Sequence, residues 1–227
     1  MIPIRDELPT RRFPYVTVVL IVLNILFFLY ELSLGSRLEA FVYQAGLIPA
    51  VLWGKVHFWA GLPSYLRIFS SMFLHGGLVH LFFNMLYLWI FGNNVEDFLG
   101  HFHFLLFYLG CGTSAALVHA ILFPSSTVPV VGASGAIAGV MGGYLVLFPY
   151  ARVIVLVFLG FFITFIRVPA ALLLLLWIFL QIMYGAFSFL LPNAGGVAWF
   201  AHIGGFLVGA FWCKMMASRY YYRKFLW

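Results

Sequence analysis

The stretch FLGHFHFLLFYLGCGTSAALVHAILFPSSTVPVVGASGAIAGVMGGYLVLFPYA, Phe98 to Ala151, contains no Asp, Glu, Lys or Arg. A bilayer core of about 30 Å takes about 20 helical residues at ~1.5 Å each. This run is long enough for two crossings, and Pro124, Ser125, Ser126, Thr127 and Pro129 divide it into them. The composition of the whole chain agrees. Its 227 residues are 65% hydrophobic and 8% charged, too few ionic groups to wet a globular surface. A soluble single domain, a disordered chain and collagen-like repeats are excluded, which leaves an all-α polytopic membrane protein.

Working outward from that stretch, six spans are expected at about 13–31, 78–95, 100–123, 134–148, 168–190 and 198–214, in one membrane domain over 1–227. The first span is read as retained, because no small-residue cleavage site follows it. Leu32 to Arg67, with Phe41, Tyr43, Trp53, Phe58, Trp59 and Tyr65, reads as an outer interfacial loop resting in the headgroup layer. Val153 to Ile166 is apolar but short, lies between Arg152 and Arg167, and reads as interfacial or re-entrant. Six spans put nine of the twelve Lys and Arg on one side, namely Arg5, Arg11, Arg12, Arg152, Arg167, Lys214, Arg219, Arg223 and Lys224. Both termini are then expected in the cytoplasm. The net charge of +6 reads as membrane anchoring and needs no nucleic acid. Cys111 and Cys213 have neither disulfide-framework nor zinc spacing.

The fourth span is short. Gly132-Ala133-Ser134-Gly135 opens it directly after the polar break, and if Arg152 marks the inner end, Ser134 lies below the outer surface. Such depth implies a hollow open to water. A serine at a helix start has free N–H groups and the positive dipole end beside it, which suits a developing oxyanion; the same tetrapeptide suits ordinary capping equally. Small residues recur as Gly135, Gly139, Gly143 and as Ser134, Ala138, Gly142, a pattern for close helix packing in lipid.

His202 sits near the start of the sixth span, with Gly205 and Gly209 close to its face, and an ionisable residue there marks a function or a specific partner. With six spans, Ser134 and His202 start helices from the same side. His80 and Asn84 share a face of the second span, with His75 just before it; they can donate to an oxyanion or simply bond each other. A metal site of His75, His80 and His202 lacks any carboxylate or cysteine at ligand spacing. All six carboxylates lie at or before Asp97, so a charged triad is not expected, and none is expected inside a span. Any catalysis would use a Ser and His pair, the imidazole neutral to accept the serine proton.

Taken together, Gly132 to Gly135, Ala201-His202-Ile203-Gly204-Gly205, and the set His75, His80 and Asn84 resemble the rhomboid family of intramembrane serine proteases. Arg67 also resembles the arginine of that family's first loop. The resemblance implies a six-helix bundle in which Ser134 is the nucleophile and His202 the general base. His80, Asn84 and the Ser134 N–H would bind the oxyanion, with His75, Arg67, Gly132, Gly135, Gly205 and Gly209 as motif positions. It implies single-span membrane proteins as substrates, the lipid bilayer as surroundings, no cofactor and no metal, in a prokaryotic cytoplasmic membrane. A non-catalytic rhomboid-like binder of membrane helices and a transporter using His80, Asn84, Asn24 and Gln181 are the rival readings. Ala138 stands where some members carry an aromatic that stacks on the base, so what orients His202 is open.

Overall fold

The computed structural model describes residues 2–57, 61–160, 162–190 and 197–225; Phe58, Trp59 and the Pro192 to Gly196 break lie outside them. In chain order the elements are β1 (Ile2–Asp6), α1 (Tyr15–Ser33), α2 (Leu38–Ala45), α3 (Pro49–Leu52), α4 (Ser64–Ser70), α5 (Leu78–Leu99) and α6 (His101–Leu122). Then follow α7 (Ser134–Leu147), β2 (Arg152–Leu159), β3 (Phe162–Pro169), α8 (Ala170–Leu190) and α9 (Trp199–Phe225). Five of the helices, α1, α5, α6, α8 and α9, are long and apolar enough to cross a membrane. The sixth, α7, has 14 residues, about 21 Å at ~1.5 Å each. The protein is an integral, multi-pass membrane protein.

The short helix is the axis of the bundle. Every residue of α7 from Gly135 to Tyr144 is buried, whereas α1 and α8 leave most of their side chains exposed towards what would be lipid. Apolar burial drives little association between helices already in lipid, so van der Waals fit decides the packing. The fit is against α9: a Cβ on Gly205 would overlap the Gly135 carbonyl oxygen, and one on Gly142 would overlap the Phe206 carbonyl oxygen.

Carboxylates do occur inside spanning helices, contrary to expectation, and each has a backbone task. Glu96, in the last turn of α5, accepts from the Val16 and Thr17 N–H groups at 2.8 Å each and from Thr17 Oγ1 at 2.7 Å, capping α1 from across the bundle. His101 Nδ1 is 2.6 Å from the same carboxylate. Glu31, in the last turn of α1, is buried and accepts from the His75 N–H at 3.1 and 3.2 Å. Free helix N–H groups need acceptors, and an acid at a helix end supplies one without being stranded in hydrocarbon.

The stretch between Arg152 and Arg167 is neither helix nor re-entrant loop. It forms the hairpin β2–β3, and β1 pairs antiparallel with β2 to complete a three-stranded sheet. Strand alternation explains its faces. Pro3, Val153 and Val155 are buried in the bundle and Phe158 on the opposite face of β2 is exposed, whereas the outer strand β3 leaves Phe162, Ile163, Phe165 and Ile166 exposed on both faces. Asp6 ties the sheet to the helices by accepting from Asn94 Nδ2 at 2.5 Å and Tyr144 OH at 2.7 Å.

The outer segment folds into α2, α3 and α4 rather than an open loop. Arg67 is buried at its centre, Nε donating to the Leu62 carbonyl and Nη1 to the Tyr43 carbonyl, both at 2.8 Å. Trp53 Nε1 donates to the Ala120 carbonyl at 2.8 Å, pinning the segment to α6. Leu47 and Val130 exchange backbone hydrogen bonds at 3.1 and 2.7 Å, and Gly132 N–H donates to the Ser71 carbonyl at 2.8 Å. The outer segment therefore holds the loop that delivers Ser134.

Candidate active site

Gly132 has a φ of +125°, a region that side-chain-bearing residues avoid. A Cβ there would also sit 2.7 Å from His80 Cε1 and 3.5 Å from Ser134 Oγ, so the loop closes over the histidine only because this residue is glycine. Ala133 is the N-cap of α7 and no side chain caps the helix. Ser134 is the first helical residue, and its hydroxyl is not used for capping. Its Oγ lies 2.8 Å from His202 Nε2.

His202 reaches that distance because α7 and α9 touch through backbone. Gly205, one turn beyond His202, faces Gly135, the neighbour of Ser134; Gly209 faces Gly139 one turn further on. Any side chain at these contacts would part the helices. The motif glycines Gly205 and Gly209 thus set the separation across which hydroxyl and imidazole meet, while a Cβ on Gly135 would instead lie 2.6 Å from Ala115 Cβ of α6.

On the other side, Asn84 Nδ2 is 3.0 Å from His75 Nε2, and His75 Nδ1 is 3.3 Å from the Phe73 carbonyl. A carbonyl can only accept, so Nδ1 carries the hydrogen and Nε2 accepts from Asn84. The second Asn84 N–H remains available to a ligand. His75 in turn is held by Glu31 through its backbone and lies with its ring 5.2 Å from that of His80. Outside the spans, burial raises the Asp6 carboxyl above its usual value, with the Tyr144 hydrogen bond opposing the shift.

Ser134, His202, His80 and Asn84 all line one cavity of about 900 Å³, walled by Phe83 and Tyr87 of α5, Trp177 and Gln181 of α8, and Trp199 of α9. Arg67 does not line it and acts at a distance, as a brace of the outer segment. Two groups at the site were not connected to His202 from sequence: Gln181, read only as part of a rival polar path, whose Oε1 is 2.8 Å from His202 Nδ1, and Trp177, whose ring is 5.9 Å from the imidazole. Their spacing of four on an apolar helix was the available signal. His119, also unassigned, has a buried Nδ1 with no partner among the described residues and a ring 5.0 Å from Phe123. Among the described residues no three His, Cys, Asp or Glu side chains are grouped to hold a metal.

The fold and site define a polytopic helical protein with a serine and a histidine paired in an intramembrane cavity. The rhomboid domain family model matches residues 63–219, more than half of the chain, and the chain belongs to the rhomboid family. It is similar to Rhomboid protease GluP of Bacillus subtilis (strain 168), 35% identical over 133 residues that make up 58% of this chain and 24% of that protein. RHOMBOID-like protein 4 of Arabidopsis thaliana is 35% identical over 143 residues, 63% of this chain and 32% of that one. Rhomboid protease AarA of Providencia stuartii is 34% identical over 138 residues, 55% and 47% of the two chains. The matched region is less than half the length of each of these relatives.

Proposed function

We propose that the chain is an intramembrane serine endopeptidase that cuts peptide bonds in or next to the helices of single-span membrane proteins. The observation that carries this is the 2.8 Å approach of His202 Nε2 to Ser134 Oγ inside a cavity with polar donors. Ser134 Oγ attacks the peptide carbonyl while neutral His202 takes its proton. The imidazolium then gives that proton to the leaving amine, and a water admitted to the cavity hydrolyses the acyl-enzyme by the same route in reverse. The free Asn84 N–H, His80 and the Ser134 backbone N–H stabilise the oxyanion. A peptide bond in an intact helix is shielded by its own hydrogen bonds, so the substrate must unwind locally to reach Ser134. The protein works in a prokaryotic cytoplasmic membrane with both termini in the cytoplasm.

A non-catalytic helix binder would have no use for a serine hydroxyl turned away from capping and towards an imidazole. The transporter reading is weakened at Asn24, whose Nδ2 donates to the Leu20 carbonyl of its own helix at 2.7 Å. The test is cleavage of dye-labelled single-span proteins in liposomes. Cleavage lost in both Ser134→Ala and His202→Ala supports the reading, and cleavage persisting equally in Ser134→Ala refutes it.

A further inference from the structure

We infer that Gln181 is the positioning residue of the dyad, fixing the tautomer and ring plane of His202 in the place a carboxylate would occupy in a triad. The inference rests on the protease reading above. Gln181 Oε1 lies 2.8 Å from Nδ1 of the imidazole whose Nε2 lies 2.8 Å from Ser134 Oγ. An amide oxygen accepts and cannot donate, so Nδ1 carries the hydrogen and Nε2 turns its lone pair to the Ser134 O–H. That is the tautomer a general base requires. Were the amide reversed, its NH2 would force the hydrogen onto Nε2 and leave Ser134 without a base.

The same helix face supplies the second constraint. Trp177, one turn before Gln181 on α8, sets its ring against the imidazole at 5.9 Å and 37° between planes. Ala138 on α7 offers only a methyl group, so the ring support comes from Trp177 of α8 and, edge-on at 6.3 Å, from Trp199 of α9. Gln181 is 7% exposed, and its hydrogen bond therefore forms with little competition from water.

The bond also strengthens along the reaction. As His202 gains the serine proton, Nδ1–H becomes the donor of a charge-assisted hydrogen bond, stronger than its neutral form. Gln181 stabilises this cation by dipole alone. The titratable groups acting on His202 are His80 from α5 and His119 from α6, and no carboxylate lines the cavity among the described residues. A Glu at 181 would place the first anion beside the imidazole.

The test follows the second-order rate of labelling of the purified full chain by a fluorescent fluorophosphonate across pH, with a melting temperature for every variant. Gln181→Met, similar in size but without the acceptor, is expected to label about 10- to 100-fold more slowly while remaining folded. Gln181→Glu keeps the acceptor; it is expected to rescue the maximal rate and to move the acidic limb of the profile to higher pH, because the carboxylate favours the imidazolium. A packing role would lower the melting temperature in both variants and leave the acidic limb where the parent has it, and that result overturns the inference. The same holds if the parent labels and Gln181→Met labels equally fast. Failure of the parent itself to label at Ser134 refutes the dyad reading instead. Should Gln181→Met not fold, the shifted limb of Gln181→Glu decides alone.

Discussion

Gly205→Ala tests the claim that backbone contact sets the reacting distance. The added Cβ would overlap the Gly135 carbonyl oxygen and lie 3.1 Å from the Gly135 carbonyl carbon, inside the 3.4–4 Å of ordinary contact. Both obstacles are main-chain atoms, so no rotamer change relieves them. α9 must retreat from α7 by about 1 Å to restore normal carbon–oxygen separation. A retreat of that size takes His202 Nε2 out of hydrogen-bond reach of Ser134 Oγ, now 2.8 Å away. Misplacement by about 1 Å can cost ~10²-fold in rate, and overpacking costs about 1–3 kcal/mol of stability. Fluorophosphonate labelling of detergent-solubilised protein reads the first effect and thermal unfolding the second. The expected result is a folded variant, moderately less stable, that labels about 10²-fold more slowly. Labelling at the parental rate by the folded variant would refute the argument.

Three further outcomes follow from other parts of the structure. Asn84→Ala should lower the cleavage rate by about 10²- to 10³-fold if Asn84 is a principal oxyanion donor, and His75→Leu should add little in that background, since His75 acts by holding Asn84; independent, multiplying effects in a double-mutant cycle would contradict this. Arg67→Met removes the donors to the Leu62 and Tyr43 carbonyls and should destabilise the outer segment by about 1–3 kcal/mol, read as faster limited proteolysis between α2 and α4. The Asp6 carboxyl is raised above its usual 3.8 by burial, so the folded state holds this proton more tightly than the unfolded one. Its contribution is fully present below that value and is lost as pH rises through the raised one. Melting temperature should therefore fall with pH over that acidic window in the parent and fall less in Asp6→Asn.

Charge-free run lengths and polar breaks made a polytopic helical bundle legible, because the bilayer imposes a common length scale on most spans. Ser134, His202, His80 and Asn84 were legible as candidates because polar residues in apolar helices stand out, and the structure brings them into one cavity. The hairpin segment was read only as interfacial or re-entrant, and its strands were not foreseen. Val153, Ile154, Val155, Val157, Ile163, Ile166 and Val168 carry β-branched side chains suited to strands, but apolar runs of that length read alike as helix or strand. Its third strand, Ile2–Asp6, pairs with residues far along the chain, which no local pattern announces. Glu96 falls outside the expected second span and Glu31 at the very end of the first, because charge was taken to end a span; both fall in last helical turns, where backbone N–H groups from a neighbouring element meet them. Gln181 stood out only as a polar residue in an apolar helix. Its meaning depended on which face of α8 meets α9, a matter of tertiary packing.

The most direct measurement is intact-mass and peptide-level mass spectrometry of the purified chain after treatment with a fluorophosphonate. The account predicts one adduct, on the peptide carrying Ser134, absent in Ser134→Ala and suppressed in His202→Ala. An unmodified parent, an adduct elsewhere, or equal modification without His202 would contradict it.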